Sequence, residues 1–120
     1  MKPTGPTNPY LQQLIEELKR KSRELNAPIW YAVAEKLERP RRKKVEVNVY
    51  EIDRNCSEGE TVVVPGVVLS NGKITKPVKV AAWRFSSKAE EKIKKVGGRT
   101  MKIEDLLKEN PKGSGVRILV

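Results

Sequence analysis

The stretch "LERPRRKKVEVNVYEID", residues Leu37 to Asp53, holds the change of period on which the fold turns. Up to Leu37 the apolar residues recur at helical spacing. From Val45 they alternate, with Val45, Val47 and Val49 on one side and Glu46 and Asn48 on the other, the pattern of a half-buried strand. Between the two, Pro40 biases Arg39 away from the helical region, and Arg41, Arg42, Lys43 and Lys44 follow as consecutive cations. Adjacent cations repel one another and lower stability unless a polyanion or a set of carboxylates faces them.

Before the junction, Met1 to Thr7 has prolines, a glycine and a lysine without periodicity, and reads as an extended basic tail. Asn8 before Pro9 pairs a helix cap with a proline at the first helical position. Leu11, Leu14, Ile15, Leu18, Ser22 and Leu25 then share one face, which predicts a helix to about Leu25. A second helix begins near Pro28 with Trp30, Val33, Ala34 and Leu37 on its apolar face. Residues 8–44 are thus expected to form a helical hairpin with a basic exit.

After the junction, Tyr50 to Asn55 reads as a short helical turn, and Thr61 to Val64 as a strand ended by a type II turn at Pro65-Gly66. Val67 to Leu69 leads into Asn71-Gly72, a hairpin signal, and Lys73 to Phe85 is expected to return as a longer strand. Ser87 and Glu90 have capping-box spacing, Ala89, Ile93 and Val96 face one way, and Gly97-Gly98 stops that helix. A strand at Thr100 to Ile103, a helix at Glu104 to Glu109 and a strand at Val116 to Leu119 complete the pattern. "VEVNVYEID" and "RTMKIEDLL" faintly echo each other. The expectation is one α/β domain over residues 8–120, an N-terminal helical hairpin followed by an irregular repeat of short strands and helices.

The 120 residues suit a single core, and 25 Lys and Arg against 15 Asp and Glu leave a net charge of +10, which favours an acidic polymer as partner. Residues 1–44 carry 11 cations and 5 anions, the remainder 14 and 10, so the first third is the more basic per residue. Cys56 is the only cysteine and histidine is absent, which excludes an intramolecular disulfide and a zinc site of Cys/His composition. The opening lacks the apolar core of a secretory signal, and the longest apolar stretch, near Val62 to Leu69, is too short to cross a bilayer. A soluble intracellular protein is expected, with no membrane partner and no cofactor.

The cations from Arg39 to Lys44 could be solvated charges at a helix end. Three features favour RNA phosphates instead: Arg39, Arg41 and Arg42 offer planar forks, the chain is basic throughout, and Lys19, Arg20, Lys21 and Arg23 add a second cluster on the preceding helix. The "NPKGSGVRI" segment fails the Walker pattern, because Lys112 precedes Gly113 and Gly115 and a strand follows. What remains is a basic turn able to lie on a phosphate backbone. Trp30 and Trp83 are expected to pack in the core, leaving Tyr31 as the better base-stacking candidate. Ser86, Ser87, Ser114 and Cys56 lack a histidine base, so nucleophilic catalysis has no visible machinery.

"APIWYAVAEKLERPRRKKVEVNVYEID", "GETVVVPGVVL" and "ENPKGSGVRIL", in that order and near those spacings, resemble the archaeal and eukaryotic large-subunit ribosomal protein family L-eighteen-e, related to bacterial L-fifteen. The resemblance spans nearly the whole chain. Its compact length is closer to an archaeal member. It implies an irregular α/β fold of strand–helix units and a place on the ribosome in the cytoplasm, bound to large-subunit rRNA beside neighbouring ribosomal proteins. It also implies a structural role without catalysis or a small-molecule substrate. The basic motifs that match are "RPRRKK" and "KGSGVR", the latter bringing in Lys112, Gly113, Ser114, Gly115 and Arg117. Two other readings stay open at this point: a small nucleotide-binding enzyme using Gly113 to Gly115, and a free-standing RNA-binding regulator.

Overall fold

In a computed structural model the structure describes residues 8–38 and 45–120. The expected tail at residues 1–7 and the Arg39 to Lys44 cluster lie outside the described residues. Helix α1 (Pro9–Leu25) starts where Asn8 accepts hydrogen bonds from the backbone N–H groups of Tyr10 and Leu11, and ends at Asn26, held at φ 53°. It buries Leu11, Leu14, Ile15, Leu18 and Ser22 against α2 (Pro28–Leu37), which buries Trp30, Val33, Ala34 and Leu37. The expected helical hairpin is therefore present, packed by the apolar stripes that predict it.

The rest alternates strand and helix: β1 (Val45–Asn48), α3 (Val49–Asn55), β2 (Thr61–Leu69), β3 (Lys79–Phe85), α4 (Ser87–Lys95), β4 (Arg99–Lys102), α5 (Ile103–Glu109) and β5 (Val116–Ile118). All strand pairs are parallel, in the order β1-β2-β3-β4, with β5 also on β2. Parallel sheets bury both faces. On one face, Val63, Ala81 and Met101 join α1, α2 and α5; on the other, Val62, Val64, Val80 and Ala82 join Ile52 of α3 and Ile93 of α4.

Several sequence expectations change. Pro65-Gly66 is not a turn: β2 runs straight through it. Along one edge of β2, β5 pairs with Thr61 to Val63 and β1 with Gly66 to Leu69, so Pro65, which has no N–H to donate, falls in the gap between them. On the other edge the register against β3 slips between Val64 and Val67. A side chain at Gly66 would run into the Val45 carbonyl, which is why glycine stands there.

Asn71-Gly72 makes no hairpin, because β2 and β3 run parallel and need a crossover. The pair instead forms a corner against α3: the Asn71 N–H donates to Asn48 Oδ1, the Asn71 carbonyl accepts from Tyr50 N–H, and Gly72 sits at φ 83° against the Tyr50 ring. Accordingly β3 begins at Lys79 rather than Lys73. The cap of α4 is Ser86, one residue earlier than expected, accepting from Ala89 N–H. Gly97 and Gly98 close that helix as expected, donating to the carbonyls of Lys94 and Ile93.

The faint echo is a repeated unit. In β1–α3 and β4–α5 a four-residue strand passes directly into a seven-residue helix, and Val47, Val49 and Ile52 match Met101, Ile103 and Leu106 in position and burial.

Candidate nucleic-acid interface

The cations nominated from the sequence divide according to what their charges already touch. On α1, Lys19 Nζ lies 2.9 Å from Glu38 Oε2, a hydrogen bond that raises its pKa. Arg20 and Lys21 lie 3.5 and 3.6 Å from Glu24. Arg23, on the last turn, has no carboxylate partner among the described residues. Exposed pairs of this kind contribute little to stability and exchange readily for other anions. Tyr31 is 44% exposed, as a stacking residue must be, but Lys19 Nζ already stands 5.7 Å from its ring centre.

The "KGSGVR" segment is bound into the fold more firmly than a flexible basic turn would be. Lys112 Nζ donates to the Leu25 carbonyl at 2.9 Å, filling one of the orphan acceptors at the end of α1. The buried Trp30 donates through Nε1 to the Pro111 carbonyl at 2.7 Å. Asn110 Nδ2 donates to the Ser114 carbonyl, and Gly113 and Gly115 hold φ of 69° and 72°. Arg117 makes two hydrogen bonds, 3.2 and 3.0 Å, to one oxygen of Glu60. Glu60 is held below the usual carboxylate range by the Ser57 N–H first and Arg117 second. The structure therefore brings Lys112 to the end of α1 and Gly113 against Ile29 of α2, while Arg117, on β5, is held by Glu60 instead.

Further cations support the fold from within. Lys76 Nζ donates to the carbonyls of Asp53 and Cys56, and Lys92 Nζ to those of Ser70 and Gly72, so two lysines fasten the β2–β3 crossover. Lys79 and Arg99 flank Glu109, whose pKa is lowered chiefly by the hydrogen bond from Lys79. Among the described residues, Lys36, Lys73, Lys88, Lys95, Lys102 and Lys108 have no such partner. The sequence pattern did not single these out because they are scattered. Only the seven-residue spacing of Lys88 and Lys95, which repeats one helix face, carries a signal.

Trp83 meets the core expectation in part: it packs against the apolar cluster of α1, α2 and α5 without being enclosed by it. It is half-buried at the end of β3, with the Arg84 guanidinium 5.6 Å from its ring centre, and lines an open groove. Cys56 is buried, and burial pushes its thiol pKa up, the opposite of an activated nucleophile. No cluster of metal-ligating side chains occurs among the described residues, and no helix among them is long and apolar enough to cross a membrane.

Residues 10–101 match the family described as ribosomal proteins 50S-L15, 50S-L18e and 60S-L27A. The chain is 52% identical to the large ribosomal subunit protein eL18 of Methanopyrus kandleri, covering 98% of this chain and 96% of that protein. It is 57% identical to eL18 of Archaeoglobus fulgidus, covering 95% and 97%. With eL18 of Pyrobaculum aerophilum the identity is 45%, covering 98% and 97%. The chain belongs to the family of ribosomal proteins that comprises 50S-L15, 50S-L18e and 60S-L27A.

Proposed function

We propose that the chain is a structural constituent of the large ribosomal subunit, working in the cytoplasm on the ribosome and binding large-subunit rRNA through basic surface residues. The observation that carries this reading is near end-to-end identity of about half the residues with proteins named eL18 in several archaea. The net charge of +10 supports the RNA partner. The two apolar clusters line opposite faces of one sheet, which supports residues 8–120 acting as a unit.

The interface is assigned first to Arg39, Arg41, Arg42, Lys43 and Lys44, joined by Arg23 and by Lys19, Arg20 and Lys21, whose exposed pairs can yield to phosphate. Lys112, Gly113, Ser114 and Gly115 would contribute backbone and shape at the end of α1. Tyr31 offers a stacking ring once Lys19 turns to phosphate. Arg117 is the weakest member because of its two bonds to Glu60. Catalysis has no part in this role. A nucleotide enzyme built on Gly113 to Gly115 is disfavoured, since Lys112 is engaged with Leu25 and β5, not a helix, follows.

Sedimentation of an extract containing the tagged chain tests the proposal. Nearly all of it should migrate with large subunits and remain there through a moderate salt wash. A majority in the slow fractions, free of subunits, would favour the free-standing regulator instead. Calorimetric heat from ATP or GTP would revive the enzyme.

A further inference from the structure

The groove beside Trp83 arises from a mismatch in strand length. The last paired position of β3 and β4 is Ala82 with Lys102; there β4 turns directly into α5, while β3 continues through Trp83 and Arg84 to Phe85. Arg84 and Phe85 pair with β2 on one side, Trp83 falls in the register slip, and no strand among the described residues pairs with them on the other. The space left is an open groove of about 430 Å³, lined also by Met101, Glu90 of α4 and Asp105 of α5. That size suits a small planar ligand, since such sites span about 300–1,000 Å³.

The chemistry of the lining is specific. Trp83 and the Arg84 guanidinium are two flat groups suited to stacking on a base; the guanidinium already stands 5.6 Å from the ring centre, so a base would slide between the two or stack on the guanidinium's outer face. Lys102 is exposed at the rim, unpaired, and available to a phosphate. Asp105 is exposed and has no hydrogen-bond or ion-pair partner among the described residues, although Arg84 and Lys102 line the same groove. Glu90, the other carboxylate of the lining, is already met by the Thr100 hydroxyl and by Lys94, which leaves Asp105 as the free one; a carboxylate repels a phosphate backbone, but it is a good acceptor for base N–H groups. Guanine alone presents two adjacent donors on its Watson–Crick edge, N1–H and N2–H, matching the two oxygens of a carboxylate; adenine and cytosine offer one amino group and uracil one imide N–H.

We propose that this groove holds one unpaired guanine of the rRNA, stacked on Trp83 and Arg84, with its N1–H and N2–H donating to Asp105 and its phosphate beside Lys102. The proposal rests on the rRNA-binding reading and deepens it by giving the chain a site of base recognition besides its phosphate contacts. Asp105 also stands in the first turn of α5, where a carboxylate favours the helix dipole, so its role must be read from base preference and not from stability alone.

The two tryptophans make the test clean. Trp30 is fully buried and hydrogen-bonded to Pro111, so iodide-accessible emission reports Trp83. The probes are single-stranded RNA octamers, one all uridine and one with a single central guanosine. The guanosine octamer should quench Trp83, shield it from iodide and bind about tenfold more tightly than the all-uridine one. Asp105→Asn should lower the melting temperature by no more than a few degrees, through the lost helix-dipole charge, and keep the quench, but bring the two octamers to within about twofold. Trp83→Phe, which retains a ring, should keep the guanosine preference in a filter-binding assay, and Trp83→Leu should lose it. Equal quenching by both octamers, or none, while the chain still binds an rRNA fragment, would overturn the guanine site and leave the rRNA reading standing. Shielding of Trp83 by a neighbouring large-subunit protein and not by RNA would assign the groove to a protein contact and likewise overturn it. Failure to bind rRNA at all would remove both.

Discussion

Gly113 and Gly115 lie in one loop, both at positive φ, but their surroundings differ. A Cβ on Gly113 would come within 2.5 Å of Ile29 Cγ2, whereas nothing lies within 4 Å of one on Gly115. Gly115→Ala should therefore cost about 1–2 kcal/mol, the backbone strain alone. Gly113→Ala should cost about 1–3 kcal/mol more, because Ile29 is drawn away from the core. Denaturant melts of the two variants check this, and equal losses would mean that the loop does not rest on α2. Nearby, Trp30→Ala should cost about 3–5 kcal/mol, since it empties the largest fully buried side chain and strands the Pro111 carbonyl. A cost below about 1 kcal/mol would place the indole outside the core. The same residues show what the sequence hides: Lys112 and Gly113 read as a phosphate-binding turn because charge and glycine are visible locally. Their partners, Leu25 and Ile29, are more than 80 residues away in the chain.

At the scale of elements, the stripes of α1 and α2 and the alternation of β1 were legible because each side chain's burial depends on period alone. Strand direction was not. Pro65-Gly66 and Asn71-Gly72 are turn dipeptides by local chemistry, and only the pairing of β2 with three other strands overrides them. The long β2–β3 crossover that results is fastened by charged groups, which gives it a pH signature. Asp53 accepts from the Thr75 N–H and hydroxyl, and the N–H bond chiefly lowers its pKa. Glu60 and Glu109 are lowered as well. A carboxylate lowered in the folded state adds stability above its unfolded pKa and loses it as pH falls through the folded value. The melting temperature should therefore be flat near neutrality and decline below about pH 4. Combining Asp53→Asn, Glu60→Gln and Glu109→Gln should lower the neutral melting temperature and flatten the acid decline. An acid decline as steep as the parent's would assign it to other groups.

For the whole molecule, the charge excess is the property that matters most, and the described residues contain much of their own neutralisation. Glu24, Glu38, Glu60, Glu90 and Glu109 each pair with at least one cation. Net charge was readable in the sequence; which cations remain unpaired was not, because pairs such as Arg117 with Glu60 join distant segments. The consecutive cations Arg41, Arg42, Lys43 and Lys44 then form the densest positive run in the chain. If they meet rRNA phosphates, each neutralised phosphate makes log affinity fall against log salt by roughly 0.7–0.9. Replacing both arginines by lysine keeps the charge and should keep that slope, while weakening specific affinity through loss of the planar fork. The deciding measurement is the affinity of the parent and of the variant with all four changed to Gln for a large-subunit rRNA fragment, taken at several salt concentrations. The salt slope should flatten by about 3 in the variant while its thermal melt stays at or slightly above the parent's. An unchanged slope, or a collapsed melt, would contradict a junction whose charges serve the RNA.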